Sequence, residues 1–488
     1  MTKLVLVVVD ALKPAMLERA VAEGHAPLFA EIVRRGTYYP DCVSVFPSVT
    51  PAAAASITTG RMPDEHGVPS ICWYHRGERR YVDYGSSGAA VRAFGVLRTI
   101  TDTVYNMNFD HLSRRSPTVF ERLDDAGVRT ACTPFLIYRG RTRHALGLQG
   151  WMRRVAQAAN MSQAVYGPSE LFYGELYASR PVDCAATLAR PGTRDPYTGC
   201  VAAHLERHDL YDFVLASLPD NDHYSHRRGP QATLASIERA DRCLQQLADA
   251  AGGTERFLSD HAVILMSDHA QIAVSRRANL VGALSDWRVL QPNDPDPDAA
   301  ELAVSPGARS AMVYALRQGD ARARLRARVL RKLRAVEGVD LLAWMEGDEA
   351  CLWSTRGELR FAPGDGVADL RGARWDLEGR IEAIEAERQD GLIASRAYPD
   401  ALRRVWAALH CPGAGDVLVS AQREHEFVDW GGSDHVGGGS HGSLRRGDSL
   451  AALAFLNCGP DAKDSPAPRQ WSITDVAGVV LEHFGVAT

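Results

Sequence analysis

Seven side chains in this sequence are of types that hold divalent cations or attack phosphorus: Asp10, Thr50, Asp222, His226, Asp268, His269 and His441. Aspartate offers a hard oxygen and histidine a borderline nitrogen, a mixture that suits zinc and admits manganese or iron. A threonine hydroxyl is a weak nucleophile at neutral pH and needs a neighbouring cation or base to act. Taken singly, each residue also has a plain structural use. Thr50, followed by Pro51, a run of alanines and then Gly60, reads as the N-cap of a helix, where free backbone N–H groups would favour an anion beside the hydroxyl. Asp10 could open the helix that follows it. Asp222 and His226 are four apart and share a face on one turn of helix, as many solvated pairs do. The glycines around His441 permit a tight loop with or without a ligand to wrap.

The elements that must position these residues repeat one pattern. Lys3-Leu-Val-Leu-Val-Val-Val ends in Asp10, Asp212-Phe-Val-Leu-Ala-Ser-Leu runs toward Asp222, and Ala262-Val-Ile-Leu-Met leads to Asp268 and His269. Continuous apolar runs of this length read as strands buried on both faces of a parallel sheet, and ligands gather at the carboxyl ends of such strands. Helical spacing at 13–22, 27–35 and 233–251 alternates with the strands, which predicts α/β construction. The segments 72–115 and 140–195 read as irregular excursions around an entrance, with a helix and strand between them at 117–133. From 275 to 410 the texture changes to a Pro/Asp-rich turn, an Arg-rich helix near 320–336 and a strand at 349–354. We read 275–410 as an inserted cap or accessory lobe, and 1–274 with 411–488 as a discontinuous catalytic core that resumes at Asp416-Val-Leu-Val-Ser.

Composition bounds the partners. The chain has 488 residues, 45% hydrophobic and 24% charged, with a formal net charge of -5, ordinary for a folded protein and without the basic excess of a nucleic-acid binder. The length exceeds the roughly 250–300 residues of a single core, so two lobes are expected. Nine scattered cysteines with no C-x-x-C pair favour a reduced, cytoplasmic setting over a disulfide framework. The apolar run at 4–9 is too short for a signal segment, and nothing approaches the roughly 20 apolar residues of a membrane span. A small-molecule substrate is the expected partner.

Five motifs in order, Asp10 after the first strand, Phe-Pro-Ser-Val-Thr50 with Thr-Gly60 and His66-Gly67 downstream, Asp222-x-x-x-His226-x-x-Gly-Pro, Ser-Asp268-His269 and Ser-His441-Gly, resemble the alkaline phosphatase superfamily. The type I phosphodiesterase and nucleotide pyrophosphatase branch is the nearest likeness, with phosphonoacetate hydrolase a near neighbour; the resemblance covers about 1–70, 210–270 and 415–488. It implies an alkaline-phosphatase-like α/β/α sandwich with a mostly parallel sheet. It further implies two divalent metal ions, usually zinc, one held by Asp222, His226 and His441 and the other by Asp10, Asp268 and His269 with Thr50 beside it. The implied activity is phosphoester hydrolysis through a phosphothreonine; phosphonate hydrolysis, a phosphomonoesterase and a non-catalytic metal-binding relative are the alternatives. A sulfatase would want Cys or Ser before x-P-x-R, and a mutase a Ser nucleophile. One departure stands out: where the branch has an Asn downstream of the nucleophile to hold a phosphate oxygen, this chain has alanines, Ala53 among them. Tyr224 and His435 are candidates to substitute.

Overall fold

The computed structural model of the protein describes residues 2–147, 164–174, 176–185, 194–460 and 470–487. Part of the 140–195 excursion lies outside the described residues.

Lys3–Val9 forms the centre of an eight-stranded sheet because its residues are apolar on both faces. Leu4, Leu6 and Val8 enter one core, while Val5, Val7 and Val9 enter the other, as the two-residue period of a strand requires. His261–Met266 and Phe213–Leu218 flank it in parallel. Thr130–Cys132 and Glu170–Tyr173 extend the parallel run beyond Phe213–Leu218. The edges are antiparallel: Leu450–Leu456 and Thr37–Val43 on one side, Tyr177–Ala178 on the other. Helices Pro14–Ala22, Pro27–Arg35, Arg194–Arg207 and Leu234–Ala250 contribute to one core, and Thr50–Thr59, Val119–Asp125 and Val476–His483 to the other. The sheet is therefore the middle layer of an α/β/α sandwich, as the sequence leads one to expect.

A second, nine-stranded sheet runs from Leu302–Gly307 at one edge to Ala386–Gln389 at the other and includes the expected strand Glu349–Ser354. The helix Gly319–Leu333 packs on it with Leu325, Val329, Leu330 and Leu333 buried. Here the expectation that the core resumes at Asp416 is corrected. Val417–Ala421 pairs with Ser310–Ala315 and Val339–Glu346 in the second sheet, and the chain rejoins the first sheet only at Leu450–Leu456. A strand buried on both faces carries the same apolar signature in either sheet, so the pattern does not say which sheet it enters.

Two further expectations change. Residues 72–115 hold a hairpin, Cys72–His75 with Arg80–Asp83, two short helices and a π-helical stretch, Asp102–His111. Cys184 and Cys200 form a disulfide, while the other seven cysteines are free. The pairing joins residues 16 apart around the start of Arg194–Arg207, a proximity that spacing alone does not disclose. No helix among the described residues is long and apolar enough to cross a membrane.

Candidate active site

The carboxyl ends of the parallel strands open onto one cavity of about 590 Å³. Asp10, Thr50, Asp222, His226, Asp268 and His441 all line it, and His269 sits fully buried behind them. Nε2 of His269 lies 3.1 Å from Thr50 Oγ1, 3.3 Å from Asp268 Oδ2 and 3.7 Å from Asp10 Oδ1. On the other side, Asp222 is approached by His226 Nε2 at 3.3 Å and His441 Nε2 at 3.7 Å. The His269 and His441 rings stack at 3.9 Å and join the two halves. Two triples bring one ligand atom from each member within 4.8 Å of one another: Asp10, Asp268 and His269, and Asp222, His269 and His441. The first is the expected set. In the second His269 stands where His226 was expected, and His226 enters the cluster beside Asp222.

Each residue is placed by local structure. Asp10 follows the first strand at a turn where Ala11 N–H donates to Asp268 Oδ1 (3.2 Å) and Leu12 N–H to Ser267 Oγ (2.8 Å). Ser267 in turn donates to the His269 carbonyl at 2.6 Å. Asp222 and His226 share a face of Asp220–Arg228, as their spacing requires. The glycine run before His441 lets that loop lie against this helix: a Cβ at Gly438 would meet the His226 carbonyl at 1.9 Å, and one at Gly439 would meet Gln271 Oε1 at 2.4 Å. The close approach is to the His226 helix itself.

Three histidines are oriented in the same way. His226 Nδ1 faces the Gly439 carbonyl at 2.8 Å, His441 Nδ1 the Ser48 carbonyl at 2.8 Å, and His269 Nδ1 the Ala270 carbonyl at 3.3 Å. A carbonyl only accepts, so Nδ1 carries the proton in each and the Nε2 lone pair turns inward. This is how metal-ligating imidazoles are held. Burial pulls His269 down to about 4 and His441 down to about 3, so both are neutral donors at pH 7.

Asp10 and Asp268 lack counter-charge, while Asp222 has it from the histidines. Burial, then Asp268 and Asp222, raises the Asp10 carboxyl well above its usual range, and burial with Asp222 pushes Asp268 up to about 6. Burial also works against the charged Asp222, but His226, His441 and His269 together outweigh it and hold the group low. His226 is raised in turn, because Asp222 overcomes its burial. Asp10 Oδ1 and Asp268 Oδ2 are buried without a hydrogen bond. Buried acceptors left in this state are costly unless a cation takes them. The donor set thus fits divalent metal ions, with Asp/His chemistry suited to zinc, manganese or iron.

The sequence model of the type I phosphodiesterase / nucleotide pyrophosphatase family matches residues 4–348. The chain belongs to that family. Among solved structures, phosphonoacetate hydrolase from Sinorhizobium meliloti 1021, in complex with phosphonoformate, is 17% identical with a TM-score of 0.57, over 99% of this chain and 95% of that one. Murine ectonucleotide pyrophosphatase / phosphodiesterase 5 is 12% identical with a TM-score of 0.58, over 99% and 95%. At these identities the likeness shows the fold, which is that of the alkaline phosphatase superfamily. No curated protein matches the chain. Family members are metal-dependent phosphoester hydrolases.

Several family-motif residues serve the scaffold. His66 is buried, accepts from Val68 N–H at Nδ1 (3.1 Å) and so donates from Nε2 to Ser56 Oγ (3.0 Å). Asp475 binds Arg371 and closes a capping box with Ser472. The expectation that Thr50 is an N-cap is corrected: Val49 is the capping residue and Thr50 is the first helical one, with its side chain turned to His269 and making no capping bond. Tyr224 is likewise set aside as a phosphate holder, since it does not line the cavity and its ring lies 5.4 Å from the Arg239 guanidinium. His435 does line it, with its ring centroid 4.0 Å from that of His226. Ala53 is wholly buried in the core, so its side chain has no access to the cavity.

Other residues of the site have no motif to announce them. Glu426 is buried and accepts from His435 N–H (2.6 Å), His435 Nδ1 (2.7 Å) and Ser440 Oγ (2.7 Å), which fixes the loop leading to His441. Asn221 donates to the Asp10 carbonyl at 2.9 Å and accepts from Ser236 at 2.8 Å. Gln271 donates to Asp222 Oδ1. The position of Asn221, one residue before a candidate ligand on a strand-to-helix turn, is the only signal the sequence offers for any of the three.

Proposed function

We propose that this phosphoester hydrolase cleaves a phosphodiester or pyrophosphate bond with Thr50 as its nucleophile. The observation that carries the reading is the placement of the Thr50 hydroxyl at the rim of a cluster of inward-facing imidazoles and unpaired carboxylates. Asp222, His226 and His441 would hold one divalent ion, and Asp10, Asp268 and His269 another, with zinc the first choice and manganese or iron alternatives. When bound, the ions would supply Lewis-acid charge that lowers the pKa of a nearby hydroxyl and offsets charge on the reacting phosphoryl group.

The protein's own part is positioning. Thr50 begins a ten-residue helix whose remaining nine residues are buried, so the hydroxyl is held on a rigid element. The Thr50 hydroxyl gives up its proton as its oxygen forms a bond to phosphorus, the bond to the leaving oxygen breaks and that oxygen takes up a proton, and the phosphothreonine, still carrying the substrate's other group, is hydrolysed by water to regenerate Thr50 and release the phosphoryl product. The carbonyl of Ser48, two residues earlier, orients His441, so one segment sets both nucleophile and ligand. The region 275–410 is retained as an accessory lobe, with Val417–Ala421 added to it.

Phosphonate hydrolysis is the second reading. The absence of a side chain at Ala53 able to reach a phosphate oxygen weakens the nucleotide case specifically, and the fold is shared with a phosphonoacetate hydrolase. Metal analysis followed by assay on a diaryl phosphate, an aryl monophosphate and phosphonoacetate distinguishes these. Thr50→Ala should bind metal and lose turnover, and acid quench of the unsubstituted enzyme should trap phosphate on the peptide containing Thr50. Near-normal turnover by Thr50→Ala with metals bound would defeat the scheme.

A further inference from the structure

A second cavity, of about 850 Å³, lies between the helix Pro14–Ala22 and the accessory lobe, and no residue lines both it and the catalytic cavity. Its cationic lining residues are Lys13, Arg396, Arg423, Arg445 and Arg446; its carboxylates are Glu18, Glu424 and Asp448. Two of these charges are settled inside the protein. Arg445 is paired with Asp340 at 2.8 Å, and Asp448, wholly buried, with Arg309 at 2.8 Å. Four cations are thus left facing two carboxylates. Among the described residues those two accept only from neutral hydroxyls, Glu18 from Tyr38 at 3.3 Å and Glu424 from Ser275 at 3.1 Å.

The positive charge comes from several independent segments. Lys13 is half-buried, and one of its three ammonium donors goes to the Gln271 carbonyl at 3.3 Å. The same residue is the N-cap of Pro14–Ala22, a nine-residue helix whose start has no side-chain capping bond and no acidic residue in its first turn. Lys13, Pro14 and Ala15 all line the cleft, so the positive end of that helix adds to its field. Arg396, Arg423 and Arg446 are exposed and make no ion pair with any described residue. Outside the described residues the chain has only three acidic side chains, Glu175, Asp461 and Asp464. Like charges around one hollow sum, and its low-dielectric walls focus the potential on whatever enters.

We propose that this cleft is a second ligand site and takes a small polyanion with two or more phosphate or carboxylate groups. Guanidiniums match the oxygens of either group in a two-pronged geometry, and the two Lys13 donors not used by Gln271 suit the same acceptors. A cavity of this volume holds a compact small molecule. A monovalent anion leaves most of the charge unanswered, so affinity rises with the charge of the ligand. The inference uses neither the metal cluster nor Thr50 and stands apart from the hydrolase reading.

The test is modification of arginines by phenylglyoxal in the metal-loaded protein, read residue by residue with peptide mass spectrometry. Tricarballylate and propane-1,3-diphosphonate are the probes, and sodium sulfate at matched ionic strength is the control. One or both probes should slow modification of Arg396, Arg423 and Arg446 saturably, by about tenfold once the probe stands at about ten times its dissociation constant. Whichever protects at lower concentration names the anionic group. In Arg423→Gln/Arg446→Gln, where both positions are exposed, half-protection of Arg396 should need about tenfold more probe, the worth of one charge-assisted hydrogen bond. Protection confined to Arg194 and Arg227 of the catalytic cavity, protection no greater than that by sulfate, or an unchanged half-protection in the double variant overturns the inference.

Discussion

Replacing Arg309 by methionine tests whether the second sheet holds the His441 loop in place. Arg309 is wholly buried, and its Nε donates to Asp448 Oδ2 at 2.8 Å, a residue equally buried. The same guanidinium reaches the carbonyls of Gln422 and His425. Asp448 also accepts from Ser443 N–H at 2.8 Å, and the Arg309 backbone N–H donates to the His441 carbonyl at 2.8 Å. The pair therefore clamps the chain at His441 and at Ser443, two residues on. Removing one partner of a buried ion pair leaves an uncompensated charge and costs about 3–5 kcal/mol. Arg309→Met should lower the unfolding free energy from urea denaturation by that amount, seen as a lower midpoint at unchanged slope. Arg309→Met/Asp448→Leu removes the stranded charge and should recover part of the loss, but not all, because the Ser443 N–H loses its acceptor and the Gln422 and His425 carbonyls lose the guanidinium donor, at up to about 1–3 kcal/mol for a group left unpaired. If the single variant loses less than about 1 kcal/mol, or the double variant equals the sum of its two singles, the clamp is not coupled as described. Metal titration of the single variant adds a functional readout, with the ion at Asp222, His226 and His441 weakened about 10- to 100-fold, as loss of ligand support does elsewhere.

Metal affinity should fall with acid in a defined window. Asp268, raised to about 6, and His226, raised above its ordinary 6.5, must shed protons to bind a cation, whereas His269 at about 4 and His441 at about 3 are already neutral. The apparent affinity should therefore fall as the pH drops through these values, steepening toward about tenfold per pH unit for each proton once the pH is below that group's own pKa, with Asp10, whose carboxyl is also raised, adding to the slope; competition with a chelator between pH 7 and 5 measures it, and a flat profile there refutes the assignment of ligands. Gly438→Ala drives a Cβ into the His226 carbonyl, so it should lower both metal content and melting temperature, while Gly437→Ala, where nothing lies within 4 Å, pays only for its positive φ of 90°. Ala53→Asn should not restore a nucleotide preference: it places an amide in the sealed core at a cost of about 1–3 kcal/mol, and a gain in activity on a nucleotide diester would refute that placement.

What was legible in the sequence follows from how strands are buried. Lys3–Val9, Phe213–Leu218 and His261–Met266 are apolar apart from Lys3, Ser217 and His261 because helices cover both faces, and each leads to a chemistry-bearing residue at the sheet's carboxyl edge. The Asp222–His226 pair was legible for a similar reason, since a four-residue spacing on a helix fixes the relative direction of two side chains. The second sheet was not, because Val417–Ala421 satisfies the same criterion as a core strand and only its partners distinguish it. Glu426 was not legible either: an acidic residue in a short strand announces nothing until the fold brings His435 and Ser440 to it. Thr50 shows a subtler limit. Its Thr-Pro helix start was legible, but a shift of one residue decides whether the hydroxyl closes the helix or faces the cavity.

That one-residue shift explains why this segment accepts no side chain able to help with the phosphate. With Val49 as the cap, Thr50 faces His269 and the turn that follows, Ala52 to Ala55, is buried against Val45, Val49 and Ile57 in the core. The helix is thereby packed on all sides, and its start cannot move without disturbing Ser48, whose carbonyl sets the His441 tautomer. Rigidity at Thr50 and the lack of a polar side chain at Ala53 are thus two results of the same burial.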